Sequence, residues 1–179
     1  MALRPGRTVN NLRTPKPKRA WTRTAKRVGE KAYIVGVPDT KVRLFVMGGL
    51  NPSQGEVKYI LAPKLDVLIR DNALEAARLI ANKYFEREFK NQDEYHFRVL
   101  TYPHQCLREH KMLTGAGADR LSSGMRHAFG IPTGRGVNVK KDQPIFAVIT
   151  YQKYEKLAKE GLERAAKKLP GKCYVMRVK

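Results

Sequence analysis

Apolar and polar residues alternate along this chain with two different periods, and each period predicts one kind of element. A period of two is typical of a strand with one buried face, and a period of three to four is typical of a helix. These periods predict strands at residues 33–35, 42–47, 57–61, 95–102, 137–139, 145–151 and 173–178, and helices at about 71–89 and 153–169. Short strands and two helices that do not alternate regularly predict an α+β fold, in which both helices cover a mostly antiparallel or mixed sheet.

Each predicted helix has one apolar stripe and a recognisable end. Leu74 and Tyr84 lie on the stripe of the first helix, and Asp71 stands where its carboxylate can cap the free amides of the first turn. Leu162 lies on the stripe of the second helix, which ends where proline and glycine follow at 170–171. Charges of both signs cover the outer face of this second helix, so we interpret that face as solvated surface.

Residues 1–31 differ in character from the rest of the chain. They contain ten basic residues against the single acid Glu30, and three prolines remove backbone donors and disfavour helix. The few apolar residues of this segment cannot form a core of their own. We therefore predict an extended basic arm at 1–31 and a folded domain at 32–179. Trp21, the only aromatic residue before position 32, either stacks on a nucleic-acid base or anchors the arm to the domain.

Composition narrows the function before any motif is considered. The 179 residues include 36 Lys and Arg against 16 Asp and Glu, which gives a formal net charge of +20. So large a positive excess indicates a polyanionic partner rather than a small-molecule substrate. The two cysteines, Cys106 and Cys173, are too few for a disulfide framework, no apolar run approaches the ~18 residues of a membrane span, and no secretory pattern is visible. We expect an intracellular, soluble and very basic protein without a membrane partner.

The segment 103–135 shows no sustained period and is rich in glycine. We expect Gly115, Gly117 and Gly124 to allow positive φ and close approach of the backbone to another backbone, although plain loop flexibility would also explain them. The segment is also basic, with Arg108, Lys111, Arg120, Arg126 and Arg135 against Glu109 and Asp119. Because each neutralised phosphate releases counterions, a one-signed cluster of this kind is typical of salt-dependent RNA binding.

Motifs of small-molecule chemistry are incomplete in this chain. A P-loop needs Ser or Thr after Gly-Lys, but the Gly-Lys pair at 171–172 is followed by cysteine. Residues 115–120 resemble the start of a dinucleotide fingerprint, but Arg120 stands at the position of the third glycine. The serines at 122–123 lack the glycine that precedes a nucleophilic serine, and Cys106 has no catalytic arrangement around it. We predict no cofactor, no catalytic residue and no small-molecule substrate.

All four histidines fall between positions 96 and 127. Together with Cys106, His96, His104, His110 and His127 suggest zinc, since imidazole and thiolate are its ligands. Their spacing matches no closed four-ligand set. Histidines in a cationic loop also stack on RNA bases and donate hydrogen bonds to them. We therefore predict that no metal is bound.

Four blocks of the sequence carry a resemblance to one family. The most specific runs from Lys111 to Leu121 (KMLTGAGADRL) and continues from Gly124 to Pro132 (GMRHAFGIP). Two more blocks agree, GVPDTKVR at 36–43 and ALEAAR at 73–78, the latter followed by ANKY at 81–84. On these residues the chain resembles the archaeal and eukaryotic large-subunit ribosomal protein family L-ten-e, the counterpart of the bacterial family L-sixteen.

The resemblance implies a single α/β-hammerhead-like domain in the large subunit of the cytoplasmic ribosome. Its implied partners are 23S-type rRNA, the 5S rRNA region, neighbouring ribosomal proteins and, transiently, tRNA in the A-site/P-site cleft. The family is not the catalyst of peptide transfer and joins the subunit late in maturation. Its long basic loop, here about 103–133, reaches toward the peptidyl-transferase centre.

Charge and resemblance together give two sets of candidate site residues. The set expected to bind rRNA is Arg4, Arg7, Arg13, Lys16, Lys18, Arg19, Trp21, Arg23, Lys26, Arg27, Lys41, Arg43, Arg120 and Arg126. The set expected on the tRNA side of the loop is His104, Arg108, His110, Lys111 and Met112. Carried over from the family, Arg108 and Lys111 lie toward the loop tip, and Arg120 and Arg126 lie on the returning limb.

Two other functions would share the basic composition. An RNA-modifying enzyme should show a cofactor loop or an acid–base pair, and the sequence offers neither. A DNA-packing protein would not need the glycine-rich loop at 103–135. Cosedimentation with large ribosomal subunits in moderate salt separates the three alternatives.

Overall fold

The computed structural model describes Pro5, Val9, Ile34 and residues 36–110, 112, 115–121, 124–126 and 128–178. The predicted strand at 33–35 lies outside these residues except for Ile34, and the predicted arm lies outside them except for Pro5 and Val9. In chain order the described elements are β1 (Val46–Met47), β2 (Val57–Pro63), β3 (Val67–Arg70), α1 (Asp71–Glu88), β4 (Tyr95–Val99), β5 (Gln105–Glu109), α2 (Ala118–Leu121), β6 (Ile131–Val139), β7 (Phe146–Thr150), α3 (Glu155–Ala166) and β8 (Cys173–Val178).

The strands form two antiparallel sheets. The larger sheet has the order β1-β4-β7-β2-β8 and the smaller one the order β3-β6-β5. Every described strand pair is antiparallel. The predicted α+β class, with two long helices on antiparallel strands, is confirmed. The division into two sheets was not predicted, because period-two alternation identifies strands but not their partners.

The main core lies between the larger sheet and the helices α1 and α3. Phe85 of α1 is fully buried at its centre, with ring centroids 5.5 Å from Tyr95 and 5.4 Å from Phe97. Gly161 of α3 faces the same ring, and a Cβ added there would overlap Phe85. The absence of a side chain at Gly161 therefore lets the two helices pack closely and form a rigid platform.

A polar contact also joins the two helices at their exposed rim. The Tyr84 hydroxyl of α1 donates a hydrogen bond to Glu160 of α3 (2.9 Å), and Arg164 donates to the same carboxylate (2.6 Å). Burial, and then the neighbouring Glu160, raise the pKa of Tyr84 to about 12. Tyr84 therefore stays a neutral donor across the physiological range.

Several predicted strand and helix boundaries are wrong, by two to four residues. The strand predicted at 42–47 contains only β1, although Val99 N still donates to the Phe45 carbonyl (2.8 Å) in the register of β1 with β4. Lys41 N, just before the predicted strand, donates instead to Asp71 (3.2 Å). Strand β4 ends at Val99 instead of residue 102, although Leu100 N still donates to the Ile145 carbonyl (2.8 Å) in the register of β4 with β7. Helix α3 begins at Glu155 after a 3₁₀ turn at Gln152–Tyr154.

The predicted capping role of Asp71 is confirmed at one amide of the first turn, Asn72 N. Asp71 is the first residue of α1 rather than the residue before it, and its carboxylate accepts from Asn72 N (2.8 Å) and Lys41 N. It therefore ties residues 36–45 to the helix start. The negative charge still lies at the positive end of the helix dipole, as expected.

The expectation that residues 103–135 lack regular structure is wrong. Strand β5, the single-turn helix α2 and the first half of β6 all fall within this range, and β3 was not predicted at all. Pro132, Gly134 and Gly136 interrupt the hydrophobic alternation of β6, so its period is weak although its pairing with β5 is regular. Strand β3 is a short apolar run without alternation, because it is covered on both faces.

Candidate nucleic-acid interface

The glycine-rich segment is held at its base by a β-hairpin. Strands β5 and β6 pair from Gln105↔Gly136 to Glu109↔Ile131, so the connecting loop runs from residue 110 to 130. A bulge places Thr133 as an extra residue in β6, and its hydroxyl donates to the Leu107 carbonyl (3.1 Å). The hairpin belongs to the smaller sheet, which projects the loop from a defined frame.

Arg108 and Phe129 close the base of this loop. The Arg108 guanidinium lies 3.7 Å from the centroid of the Phe129 ring, and Nη1 donates to the Phe129 carbonyl oxygen (2.8 Å). Arg108 is a half-buried residue of β5 opposite Pro132. The expectation that Arg108 lies toward the loop tip is therefore wrong, since its strand pairing places it at the base. Nothing in the sequence pattern links Arg108 to Phe129, because the pairing crosses the whole loop.

Gly130 and His110 make the closing contacts above this pair. Gly130 has φ +77°, and a Cβ at this position would lie 2.8 Å from the carbonyl carbon of Glu109 and from His110 N. The His110 ring donates through Nε2 to the Gly124 carbonyl (2.6 Å), which brings the returning limb back to the hairpin. His110 thus holds the loop together.

The described part of the loop beyond this base is exposed and basic. Arg120, in α2, and Arg126 are both exposed, as is Met112. The expected positive φ is confirmed at Gly115, Gly117 and Gly124. A Cβ at any of the three would meet no described atom within 4 Å, so no close backbone approach is seen there among the described residues. Lys111 and His127 lie outside the described residues.

A second exposed basic segment precedes β1. Lys41 and Arg43 are both exposed, and they adjoin the exposed apolar side chains of Leu44 and Val46. Arg135, which the sequence suggested as a free loop cation, instead donates to the Pro38 carbonyl (2.6 Å) and to the Tyr102 hydroxyl (3.3 Å). Arg135 thereby fastens this segment to β6 of the smaller sheet.

One residue of the predicted arm is packed on the smaller sheet. Val9 is only 3% exposed and forms a separate apolar cluster with Leu68 of β3 and Leu107 of β5. No sequence pattern predicted this contact, because an isolated valine has no period. The predicted arm contacts lie outside the described residues: Arg4, Arg7, Arg13, Lys16, Lys18, Arg19, Trp21, Arg23, Lys26 and Arg27.

The histidines and cysteines take up separate positions. His104 is exposed and its Nδ1 lies 3.1 Å from the Tyr102 carbonyl. His96 is half-buried in β4, and burial, followed by the positive charge of Arg98, lowers its pKa below 6.5. Cys106 is buried, and burial raises the pKa of its thiol, which disfavours the nucleophilic thiolate. Within the described ranges no three His, Cys, Asp or Glu side chains could together hold a metal.

A comparison with known families decides which family this chain belongs to. The model of the family described as Ribosomal protein L16p/L10e matches residues 17–176, including the whole hairpin and its loop. The chain belongs to the L16p/L10e family. The membership predicted from the blocks at 36–43, 73–84 and 111–132 is thereby confirmed. Of the helices in the described part of this family member, none is long and apolar enough to cross a membrane.

Archaeal members of the L16p/L10e family align with nearly the whole chain. It is 46% identical over 155 residues to the large ribosomal subunit protein uL16 of Archaeoglobus fulgidus, covering 87% of this chain and 88% of that protein. The protein of the same name from Methanococcus maripaludis (strain DSM 14266) is 42% identical over 177 residues, covering 98% and 94%. That from Hyperthermus butylicus is 43% identical over 163 residues, covering 87% and 88%.

Proposed function

We propose that this chain is a structural constituent of the large subunit of cytoplasmic ribosomes, and that it binds 23S-type rRNA through its basic arm and loop. The observation that carries the proposal is the family match over residues 17–176, which spans the loop that the structure presents on a closed hairpin. Membership of a ribosomal protein family implies a structural, non-enzymatic role. The relatives are named as large-subunit proteins, which supports the same location for this chain.

The mechanism we propose is electrostatic and depends on a rigid frame. Helices α1 and α3 fix the larger sheet through Phe85 and Gly161, and the β5–β6 hairpin fixes the direction of the loop. Arg120 and Arg126 then meet phosphates, where each contact releases condensed counterions. Their planar guanidinium groups can bond a phosphate in two places or stack on a base, which a lysine cannot do.

The finer placement follows from the family resemblance. The loop would lie near the 5S rRNA region and the A-site/P-site tRNA cleft, where exposed Met112 could contact tRNA transiently and Lys111 adds a charge. His104 is exposed too but precedes β5, so a tRNA contact there would lie at the end of the hairpin away from the loop. His110 and Arg108 would act by holding the loop in shape, since both are engaged within it. Incorporation late in subunit maturation would fit a protein whose loop enters an already folded RNA cleft.

The test is the salt dependence of binding to isolated 23S-type rRNA. About ten arm contacts predict a log–log slope near −7 to −9, and deletion of residues 1–31 should remove most of it. The double variant Arg120→Gln/Arg126→Gln should lower the slope by about 1.4–1.8, since each phosphate contact contributes about 0.7–0.9. The matched control, Lys83→Gln/Lys156→Gln, neutralises exposed lysines on α1 and α3 and should leave the slope unchanged.

Four results would contradict the proposal. An unchanged slope after the arm deletion would refute the role of the arm. Equal effects of the loop variant and the helix control would show that only total charge matters. Failure to cosediment with large subunits in moderate salt, or turnover of a substrate by the purified chain, would favour a different basic protein such as an RNA-modifying enzyme.

A further inference from the structure

The larger sheet ends in a strand whose outer edge is open. Strand β8 is last in the order β1-β4-β7-β2-β8, and in the described part of the chain it pairs only with β2. Six residues long, it contains no fully buried residue. Natural proteins shorten, charge or cover such edges, because free N–H and C=O groups invite another strand.

The hydrogen-bond pattern shows which backbone groups face outward. Lys64 N donates to the Lys172 carbonyl (2.9 Å), so Lys64 and Lys172 form a hydrogen-bonded pair. In antiparallel pairing, hydrogen-bonded and non-hydrogen-bonded pairs alternate along the strand. The register Ala62↔Tyr174 and Ile60↔Met176 therefore turns the backbone groups of these β8 residues toward β2. The N–H and C=O groups of the alternate residues, Cys173, Val175 and Arg177, point to the open edge.

A groove runs along this edge. It has a volume of about 430 Å³ and lies between β8 and α3, lined by Lys159, Glu163, Ala166, Cys173, Tyr174 and Val175. Ala166, Cys173 and Val175 form the apolar part of its lining, and the exposed cations Lys172 and Arg177 lie at the two ends of the strand. The two charged lining residues, Lys159 and Glu163, balance each other, so the positive charge at this edge comes from Lys172 and Arg177.

We propose that this edge binds an extended acidic segment of a neighbouring protein, which adds a sixth strand to the larger sheet beside β8. The inference rests on the proposed function, since the large subunit supplies the neighbour. Strand addition uses main-chain hydrogen bonds for affinity and shallow pockets for alternate side chains. The apolar lining residues Ala166, Cys173 and Val175 would contact every second side chain of the segment, and Lys172 and Arg177 would pair with its carboxylates.

A protein segment fits this edge better than RNA does. The edge presents donors and acceptors in alternation, from the N–H and C=O groups of Cys173, Val175 and Arg177. A peptide strand satisfies both kinds of group. A phosphate backbone offers mainly acceptors and would leave the outward carbonyls unpaired, which is unfavourable once they are buried.

Amide hydrogen exchange of the full chain at single-residue resolution tests the proposal directly. The probe is an acetylated peptide of six residues in which glutamate and valine alternate, and the control peptide has lysine in place of glutamate. When free acidic peptide is ten times its dissociation constant, exchange at Cys173, Val175 and Arg177 should slow about tenfold. The amides of Tyr174 and Met176, already bonded to β2, should change little.

Two kinds of variant separate the backbone and charge contributions. Val175→Pro removes one outward donor at a position where an edge strand tolerates proline, and it should abolish protection by the peptide. Lys172→Glu/Arg177→Glu should also abolish protection by the acidic peptide, because it reverses the charge at both ends of the strand. Neither substitution changes a residue of the core. The charge-matched control, Lys83→Glu/Lys90→Glu on exposed positions away from β8, should retain protection. Equal protection by both peptides, or none by the acidic one, would overturn the proposal.

A photoreactive residue placed at position 172 carries the test into assembled large subunits. Crosslinks to a ribosomal protein at an acidic segment support the proposal, whereas crosslinks to RNA alone, or none, overturn it. Val175→Pro should still bind isolated rRNA with an unchanged salt slope. The salt slope of rRNA binding tests the proposed function, whereas peptide protection and crosslinking test the β8 edge. The two proposals can therefore fail separately.

Discussion

Replacing Arg108 tests whether it acts on RNA or on the shape of its own loop. The structure gives it a stack on Phe129 at 3.7 Å and a charged hydrogen bond to the Phe129 carbonyl at 2.8 Å. A half-exposed cation–π contact is worth about 0.5–2 kcal/mol, and a hydrogen bond from a charged group about 1.5–3 kcal/mol. Because these terms overlap and the site is partly solvated, we expect Arg108→Ala to cost roughly 2 kcal/mol locally.

The expected result is faster opening of the loop base without global unfolding. A loss of roughly 2 kcal/mol corresponds to about a thirtyfold increase in amide exchange at the ends of β5 and β6 next to the loop. The free energy of global unfolding should fall by no more than the same roughly 2 kcal/mol, because Arg108 lies outside the core cluster around Phe85 and its removal leaves that packing intact. Subunit maturation or tRNA handling should then be impaired through a misdirected loop.

Arg108→Lys is the decisive comparison. Lysine keeps the charge but loses the planar stack on Phe129, so this variant should open the loop base nearly as much as Arg108→Ala. If Arg108 were mainly a phosphate contact, lysine would instead restore both the exchange rates and the salt slope of RNA binding. Wild-type exchange in Arg108→Ala, or full rescue by lysine, would refute the role assigned to the Arg108–Phe129 pair.

Two further predictions concern the loop base and the larger sheet. Gly130→Ala should destabilise the hairpin end by about 1–3 kcal/mol through crowding against Glu109, in addition to the cost of its left-handed backbone, and should speed tryptic cleavage within the loop. Gly134→Ala, where a Cβ meets no described atom within 4 Å, is the control, and equal cleavage of the two variants would contradict the assignment. His96 has a pKa lowered by burial, so the unfolded chain binds its proton more readily, and the free energy of unfolding should fall as pH drops below about 6.5. His96→Gln should flatten this dependence between pH 6.5 and 5, as measured by denaturant unfolding, whereas an unchanged slope would assign it to other groups.

Local pattern was a good guide wherever one face of an element is buried. The stripe of α1 through Leu74 and Tyr84 and the alternation of β4 were predicted from their periods alone. Strand β6 was only partly predicted, because its glycines and proline carry no period and its position depends on pairing with β3 and β5. The contacts of Arg135 with Pro38 and of Arg108 with Phe129 could not be predicted, since each joins residues far apart in sequence.

The sequence by itself determined the class of partner, the family and the two long helices. Net charge is a sum over the whole chain, and an amphipathic period depends on residues close in sequence. Both can therefore be read without knowledge of the fold. Only the tertiary structure decided which cations are free and which are used internally: Arg120 and Arg126 are exposed, whereas Arg108 and Arg135 bond within the chain. Sheet order likewise decided that β8 has an open edge. Strands that pair are often far apart in sequence, so a local pattern does not predict which strand lies at the edge.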